Sequence, residues 1–493
     1  MIDEYDRTYK LGAKLGQGGQ GAVYRVLSDD DLAIKGIVKS MSALQFNDDK
    51  DSQESWILQD ETVYEKYAVK IHGLMALGIF YNIEHVALPV AMLAKPYCGY
   101  VMWLMNGLEE IAKQKPALGD VALMAGENSG LKKKLLVLRE LTLIINKLHA
   151  NGLIYCDLSL QNVYVSKSPD DHQVWLIDSD NLVFSNHSRR SIGTPGFRAP
   201  EIAKRESPNT FYSDMYSFAV VAFWYLTGES PFVNAGAGDL GWDDGWENEI
   251  SDTIDDGSVD YMYEDDGSKL GIPLDYVSTE KMKQLFYRTL CKEGREHPKT
   301  RPTASEWYEA LEEALDQLDF CFETGSGDEQ NAKRNKKRIK KHEFIGEQCV
   351  WCKMEGKNAD LPERYKISVD PVVRWEDENW ENSSPAVRKK YCGCIKYLSC
   401  DGSKWKFDIP LKYLTGIDIL PEEHFQIEIK KDQIHFSVGI EKDIVGLYRD
   451  HKKFDGKCDR MKPGEKINLT VVCKKGTGKE NKTEANFSME RIR

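Results

Sequence analysis

Asp157 and Asn162 lie five residues apart, in a short stretch directly behind a long segment of apolar periodicity. On a single loop, such a pair can serve a hydroxyl and a metal ion respectively. Sixteen residues beyond Asn162, the apolar run Val174-Trp-Leu-Ile ends in Asp178, a carboxylate placed as a hard divalent cation requires. Near the start of the chain, the glycines of Gly16-Gln17-Gly18-Gly19-Gln-Gly21 let backbone N–H groups approach phosphates with no Cβ in the way. Taken alone, that motif is equally a tight hairpin turn. Fourteen residues after Gly21, Lys35 closes the apolar run Leu32-Ala33-Ile34. An ammonium there needs an anion or a path to water.

The elements that must position these groups are legible from residue patterns. Short strands are expected at Lys10–Leu15, Ala22–Leu27 and Leu32–Ile37. The glycines therefore sit between two strands, which disfavours the strand-to-helix turn of a dinucleotide-binding fold. Glu61–Leu77 has helical spacing, with Val63, Tyr67, Ile71, Leu74 and Met75 along one face. Leu135–His149 carries Leu135, Leu138, Leu141, Ile145 and Leu148 at the same period, and a further apolar helix runs from Ser213-Asp214 through Leu226. After His342 the pattern changes. Trp405–Leu411, His424–Lys430, Gln433–Gly439 and Ile467–Cys473 alternate or carry β-branched and aromatic residues, the signature of a mainly β domain.

Further landmarks follow in order: Gly193-Thr-Pro-Gly-Phe-Arg-Ala-Pro-Glu201, Asp214-Met-Tyr-Ser-Phe-Ala, Gly228-Glu-Ser-Pro-Phe232 and Arg301-Pro-Thr. In these motifs and their order, residues 1–320 resemble the eukaryotic-type Ser/Thr protein kinase family. The resemblance implies an α+β, two-lobed kinase fold with ATP between the lobes, an ATP-binding lobe at 1–106 and a catalytic lobe at 107–320. It implies that Gly16, Gln17, Gly18, Gly19 and Gly21 cover the phosphates, with Val23 and Ala33 flanking the nucleotide and Lys35 on its α/β-phosphates. Leu104, Met105 and Asn106 would form the hinge that meets adenine. Asp157 would accept or orient the substrate hydroxyl, while Asn162 and Asp178 would hold Mg²⁺. Glu201 and Arg301 would form a buried ion pair, and Asp214 would brace the catalytic loop. The intact Ala199-Pro-Glu201 segment points to a protein substrate over a small molecule.

Several positions depart from the family pattern. Tyr155-Cys156 stands where His-Arg precedes the catalytic aspartate, and Ser159 replaces the lysine two residues after it. Asp178 is followed by Ser-Asp, not Phe-Gly, a flavour similar to divergent bacterial kinases. The helix glutamate that should pair with Lys35 is expected to be Glu65, with Glu61 one turn earlier as the alternative. These departures keep a second reading open, a nucleotide-binding pseudokinase scaffold whose C-terminal domain mediates partner interactions.

The chain has 493 residues, 41% of them hydrophobic and 29% charged, with a net charge of -13. That argues against a chain built to coat nucleic acid. The acidic start is not that of a signal peptide, and no apolar run reaches the roughly 20 residues of a membrane span. A cytoplasmic location is expected. Charge is unevenly spread: residues 1–320 carry 31 basic and 50 acidic residues, and the rest carry 35 and 29. An acidic insertion at 239–266, with twelve carboxylates, reads as a solvated loop or a dock for a basic partner. Residues 321–343 read as a flexible linker containing the basic run Lys333–Lys341, and 344–493 as a separate domain. There Cys349-Val-Trp-Cys352 and Cys392-Gly-Cys394 are either reduced thiols or the two halves of a tetrahedral Zn²⁺ site.

Overall fold

The computed structural model describes residues 1–18, 21–37, 61–81, 83–114, 130–186, 191–232, 261, 263, 271–322, 340–354, 356, 358–369, 372–374, 389–391, 395–400, 405–410, 424–430, 432–438, 444–450, 452–474 and 482–493. The chain divides into two compact units, Met1–Leu315 and Asp316–Arg493. The boundary thus falls a few residues before the expected end of the catalytic lobe.

The first unit opens with a five-stranded antiparallel sheet. Strands β1 (Leu11–Gly18), β2 (Gly21–Val26), β3 (Leu32–Ile37), β4 (Pro89–Met92) and β5 (Gly99–Trp103) are ordered β1-β2-β3-β5-β4. Period-2 alternation places Val26, Ile34, Ala91 and Val101 in one buried cluster. Lys35 lies opposite Val23 on β2 and Tyr100 on β5, so the lysine stands in the middle of the sheet, not at its edge.

Helix α1 (Glu61–Tyr81) follows β3 and buries Ala68, Ile71, Leu74 and Leu77. This stripe is rotated from the expected one: Tyr67 and Met75 are half-buried, and the Val63 side chain lies outside the described residues. Glu65 shares the outer face with the exposed Val69 and His72.

Beyond β5 the unit is mostly helical. Helix α2 (Leu131–Ala150) buries all five of its expected apolar residues. The short strands β6 (Leu108–Glu110), β8 (Val163–Ser166) and β9 (Val174–Leu176) form one small sheet, and β7 (Leu153–Ile154) pairs with β10 (Val183–Phe184). These short strands bracket the loops that carry Asp157 and Asp178. After α3 (Pro200–Ala203) comes α4 (Phe211–Thr227), which starts in a reciprocal capping box between Thr210 and Ser213 and stops at Gly228 with φ 82°. It is buried from Ser213 to Thr227. Phe223 packs edge-on against Phe286 of α5 (Glu280–Leu290), and Phe218 against Trp307 of α6 (Ala304–Gln317). Tyr261 and Tyr263, the described residues of the acidic insertion, each meet Phe223 edge-on; its carboxylates lie outside the described residues.

Lys134 of α2 is buried and donates a hydrogen bond from Nζ to the Tyr225 carbonyl at 2.7 Å. Burial pushes its ammonium down to about 7. A lysine depressed in the folded state binds its proton in the unfolded chain but not the folded one between that value and the ordinary 10.5. Wild-type stability therefore gains from rising pH in that window, by about 1.4 kcal/mol per unit. Chemical denaturation of wild type and Lys134→Met should show their difference moving toward the wild type by that slope from pH 7 to 10. A difference independent of pH would place the ammonium in contact with water.

The second unit is the mainly β domain. Two antiparallel sheets face each other. One contains Glu363–Val369, Ile395–Cys400, Ile444–Arg449, Lys452–Lys453, Lys466–Lys474 and Lys482–Arg491; the other contains Trp405–Pro410, His424–Ile429, Gln433–Val438 and Lys457–Asp459. Phe425 and Phe487, from opposite sheets, meet with centroids 4.6 Å apart amid Ile367, Ile427, Phe436 and Met489. The ends of the expected linker are ordered here: β11 (Leu318–Phe322) pairs with β12 (Lys340–Ile345). Residues Lys333 to Ile339 of the basic run lie outside the described residues. Cys349 and Cys352, at the start of and within α7 (Val350–Met354), are joined by Cys321 of β11 and His342 of β12. Cys392 and Cys394, their expected partners, lie outside the described residues.

Candidate active site

Asp157, Asn162 and Asp178 converge because β8 and β9 are paired and their flanking loops lie side by side. Ile177 donates its backbone N–H to the Asn162 carbonyl at 3.1 Å. Asn162 Nδ2 donates to the Asp157 carbonyl at 2.8 Å, which closes the turn between them. Tyr155, fully buried, donates its hydroxyl to the Ile177 carbonyl and ties that turn to the strand end before Asp178. This is what the unusual tyrosine does.

Asp214 braces the loop as expected. Its carboxylate accepts from the N–H groups of Tyr155 at 2.8 Å and Cys156 at 2.9 Å, with His149 Nε2 at 3.0 Å. Cys156 takes φ 74°, a left-handed conformation that these two bonds hold in place. Arg301 meets Glu201 in a bidentate pair at 2.8 and 2.9 Å.

Both oxygens of Asp157 are occupied. Thr194 Oγ1 donates to Oδ1 at 2.7 Å and Asn181 Nδ2 to Oδ2 at 3.2 Å. These contacts orient the carboxylate toward the loop that carries Gly193 to Glu201.

Lys35 reaches two carboxylates, Asp178 Oδ1 and Asp180 Oδ1, each at 3.1 Å. Its side chain is 3% exposed and that of Asp180 5%. Burial alone would lower the ammonium, but Asp180 and Asp178 together outweigh it and hold Lys35 above its ordinary value. The expected partner is corrected here. Glu65 pairs with Lys95 at 3.1 Å on the exposed face of α1, since the apolar stripe of that helix turns it outward. The side chain of Glu61 lies outside the described residues. Asp180 thus supplies a second anion from within two residues of Asp178. It does so because Asp178 itself turns left-handed, at φ 55° and ψ 43°, into the 3₁₀ turn Ser179–Asn181. Ser179 Oγ anchors that turn to the Ala87 carbonyl at 2.6 Å, and α1 packs against it.

The donor set suits a hard dication. Burial pushes the Asp178 carboxyl up, and Asp180 and Asp157 add to the rise, against the opposing pull of Lys35. Two carboxylates, Asp178 and Asp180, share one ammonium with Asp157 acting on Asp178, and a divalent cation on Asp178 and Asn162 would balance the surplus. Ser159, buried where the family has lysine, has no hydrogen-bond partner for its Oγ within the described structure.

The nucleotide side is placed in part. Gly16, Gly18 and Gly21 pair across the β1–β2 hairpin, Gly16 with Val23 and Gly18 with Gly21. Gly19 and the side chain of Gln17 lie outside the described residues. Ala33 is buried opposite Met102. Leu104 and Met105 follow β5 half-buried. Leu104 N–H bonds the Asp31 carbonyl at 2.7 Å, and Asn106 bonds Asp30 and Asp31. Sequence reasoning missed Asp180 and Asn181. The signal that could have found Asp180 was the surplus of anions beside a lysine already expected inside the sheet.

Residues 121–311 match the family model described as protein kinase domain. Protein kinase C-like 1 of Saccharomyces cerevisiae is 35% identical over 97 residues, covering 19% of this chain and 8% of that protein. Protein kinase C delta type of Rattus norvegicus is 36% identical over 89 residues, 17% and 13% of the two chains. Serine/threonine-protein kinase D3 of Mus musculus is 28% identical over 115 residues, 22% and 13%. The matched stretch spans about a tenth of the length of these relatives.

Proposed function

We propose that this chain, whose residues 121–311 match the protein kinase domain model, transfers the γ-phosphate of ATP to serine or threonine hydroxyls of a protein substrate. The observation that supports the reading is that Lys35, from the N-terminal sheet, bonds Asp178, while Asn162 bonds the Asp157 carbonyl and accepts from Ile177 beside Asp178. Asn162 and Asp178 would hold Mg²⁺, which supplies charge neutralisation at the phosphate oxygens when bound. Lys35, already aligned by Asp178 and Asp180, would bind the α/β-phosphates. Asp157 would orient the attacking hydroxyl and take its proton, with Thr194 and Asn181 fixing the carboxylate. Catalysis is then positioning plus charge compensation. Among the described residues no helix is long and apolar enough to cross a membrane.

The second reading, a nucleotide-binding scaffold, draws on Ser159 and on the outward turn of Glu65. Incubating the full chain with Mg·ATP and a mixed protein substrate, then mapping phosphosites by mass spectrometry, decides between them. The proposal expects phosphoserine or phosphothreonine with wild type and at least a hundredfold less with Asp157→Asn, on the order of a general-base loss. Equal labelling by the two proteins would assign the phosphate to a contaminating activity and sink the reading.

A further inference from the structure

We propose that the second unit holds one structural Zn²⁺ on Cys321, His342, Cys349 and Cys352. All four residues are buried, and their ligand atoms lie within 4.8 Å of one another. The separations have the size of a metal tetrahedron. With Zn–S near 2.3 Å and Zn–N near 2.0–2.1 Å, tetrahedral edges come to about 3.8 Å for S···S and about 3.6 Å for S···N. Cys321 Sγ and Cys352 Sγ are 3.6 Å apart. The Nδ1 of His342 stands 3.5 Å from Cys321 Sγ, 3.5 Å from Cys349 Sγ and 3.4 Å from Cys352 Sγ. The sulfur pair is far beyond the roughly 2.05 Å of a disulfide. The Cys352 N–H points at Cys349 Sγ at 3.5 Å, the backbone-to-sulfur contact that supports a thiolate ligand.

The set comes from three pieces of chain: β11, β12 and the start of α7. Four protein ligands leave no open position, so the site is structural and not catalytic. Its placement explains what it does. β11 also carries Asp319, fully buried, which accepts from Arg364 at 3.0 Å, from Ser399 at 2.7 Å and from Arg493. The hairpin is thereby joined to the sheet on one side and clamped to α7 by the metal on the other. Trp351 adds a bond from Nε1 to the Glu343 carbonyl at 2.9 Å. Neither a two-stranded hairpin nor a five-residue helix is stable alone, so a shared metal contributes directly to holding them together.

The test is metal analysis of the full chain, purified without chelator. About one zinc per chain is expected, and replacing it with Co²⁺ should give the intense visible bands of tetrahedral thiolate coordination. Cys321→Ser and His342→Ala should each cut bound zinc at least severalfold, whereas the double variant Cys392→Ser/Cys394→Ser should keep it. Because a ligand variant can simply misfold, wild type is also stripped with a strong chelator. The thermal midpoint of the second unit should fall on stripping and return with added Zn²⁺. Zinc-free wild type, or a midpoint indifferent to stripping, would overturn the site. Loss of zinc in the Cys392/Cys394 variant with retention in Cys321→Ser would overturn the ligand set.

Discussion

Exchanging Asp178 for alanine is expected to lower phosphotransfer about a hundred- to a thousandfold, the loss typical of one preorganised charge in an active site. Asp178 has three roles in one place. It ends β9 beside Asn162, it shares Lys35 with Asp180, and its left-handed backbone starts the turn that delivers Asp180. Alanine removes the oxygen that would bind the dication and half of the grip on Lys35. Steady-state kinetics with varied Mg²⁺ should show the loss in kcat, with no recovery at high metal concentration. A variant within threefold of wild type would mean that the dication is held elsewhere.

Asp180→Asn is expected to lower kcat/KM about ten- to a hundredfold, the range for a misplaced group near the reacting centre. The substitution keeps shape and removes charge. Lys35 keeps Asp178 but loses the more buried of its two anions. Glu65→Gln is expected to change nothing, because Glu65 is exposed and pairs with the exposed Lys95, not with Lys35. The pair should be strongly non-additive: Lys35→Met/Asp180→Asn should be no slower than Lys35→Met alone. If Glu65→Gln proved the more damaging, Lys35 would be aligned by α1 during turnover and the role assigned to Asp180 would be wrong.

The site residues that sequence revealed are those set by local order. Asn162 and Asp178 flank the short strands β8 and β9, Asp157 lies in the loop between β7 and β8, and Lys35 lies within β3. Their types and spacing carry the chemistry before any packing is known. The partner of Lys35 was not legible in the same way. Choosing Glu65 required the rotational setting of α1, and Val63, Tyr67, Ile71, Leu74 and Met75 suggested a face rotated from the one that packs. The true stripe through Ala68, Ile71, Leu74 and Leu77 is settled by contact with β4 and the turn at Ser179, which is long-range information. Asp180 was in plain view, but its role depends on the left-handed turn at Asp178. In the second unit the four strands expected from alternation, at 405–411, 424–430, 433–439 and 467–473, match observed ones almost to the residue, whereas Glu363–Val369, Ile395–Cys400, Ile444–Arg449 and Lys482–Arg491 were not read. Cys321 and His342 were not recognised as ligands, because the polar, highly charged stretch between them reads as a linker. Only the pairing of β11 with β12 brings them together.

The measurement that bears most directly on the whole account is single-turnover transfer of γ-phosphate from Mg·ATP by the full chain, run beside Lys35→Met. The account predicts phosphate on protein serine or threonine for wild type. It predicts a rate at least a hundredfold lower for Lys35→Met, comparable to the loss of any single electrostatic clamp of this kind. Wild type that binds Mg·ATP yet transfers nothing would contradict it, and would make the Lys35–Asp178–Asp180 cluster the lock of a nucleotide-binding scaffold.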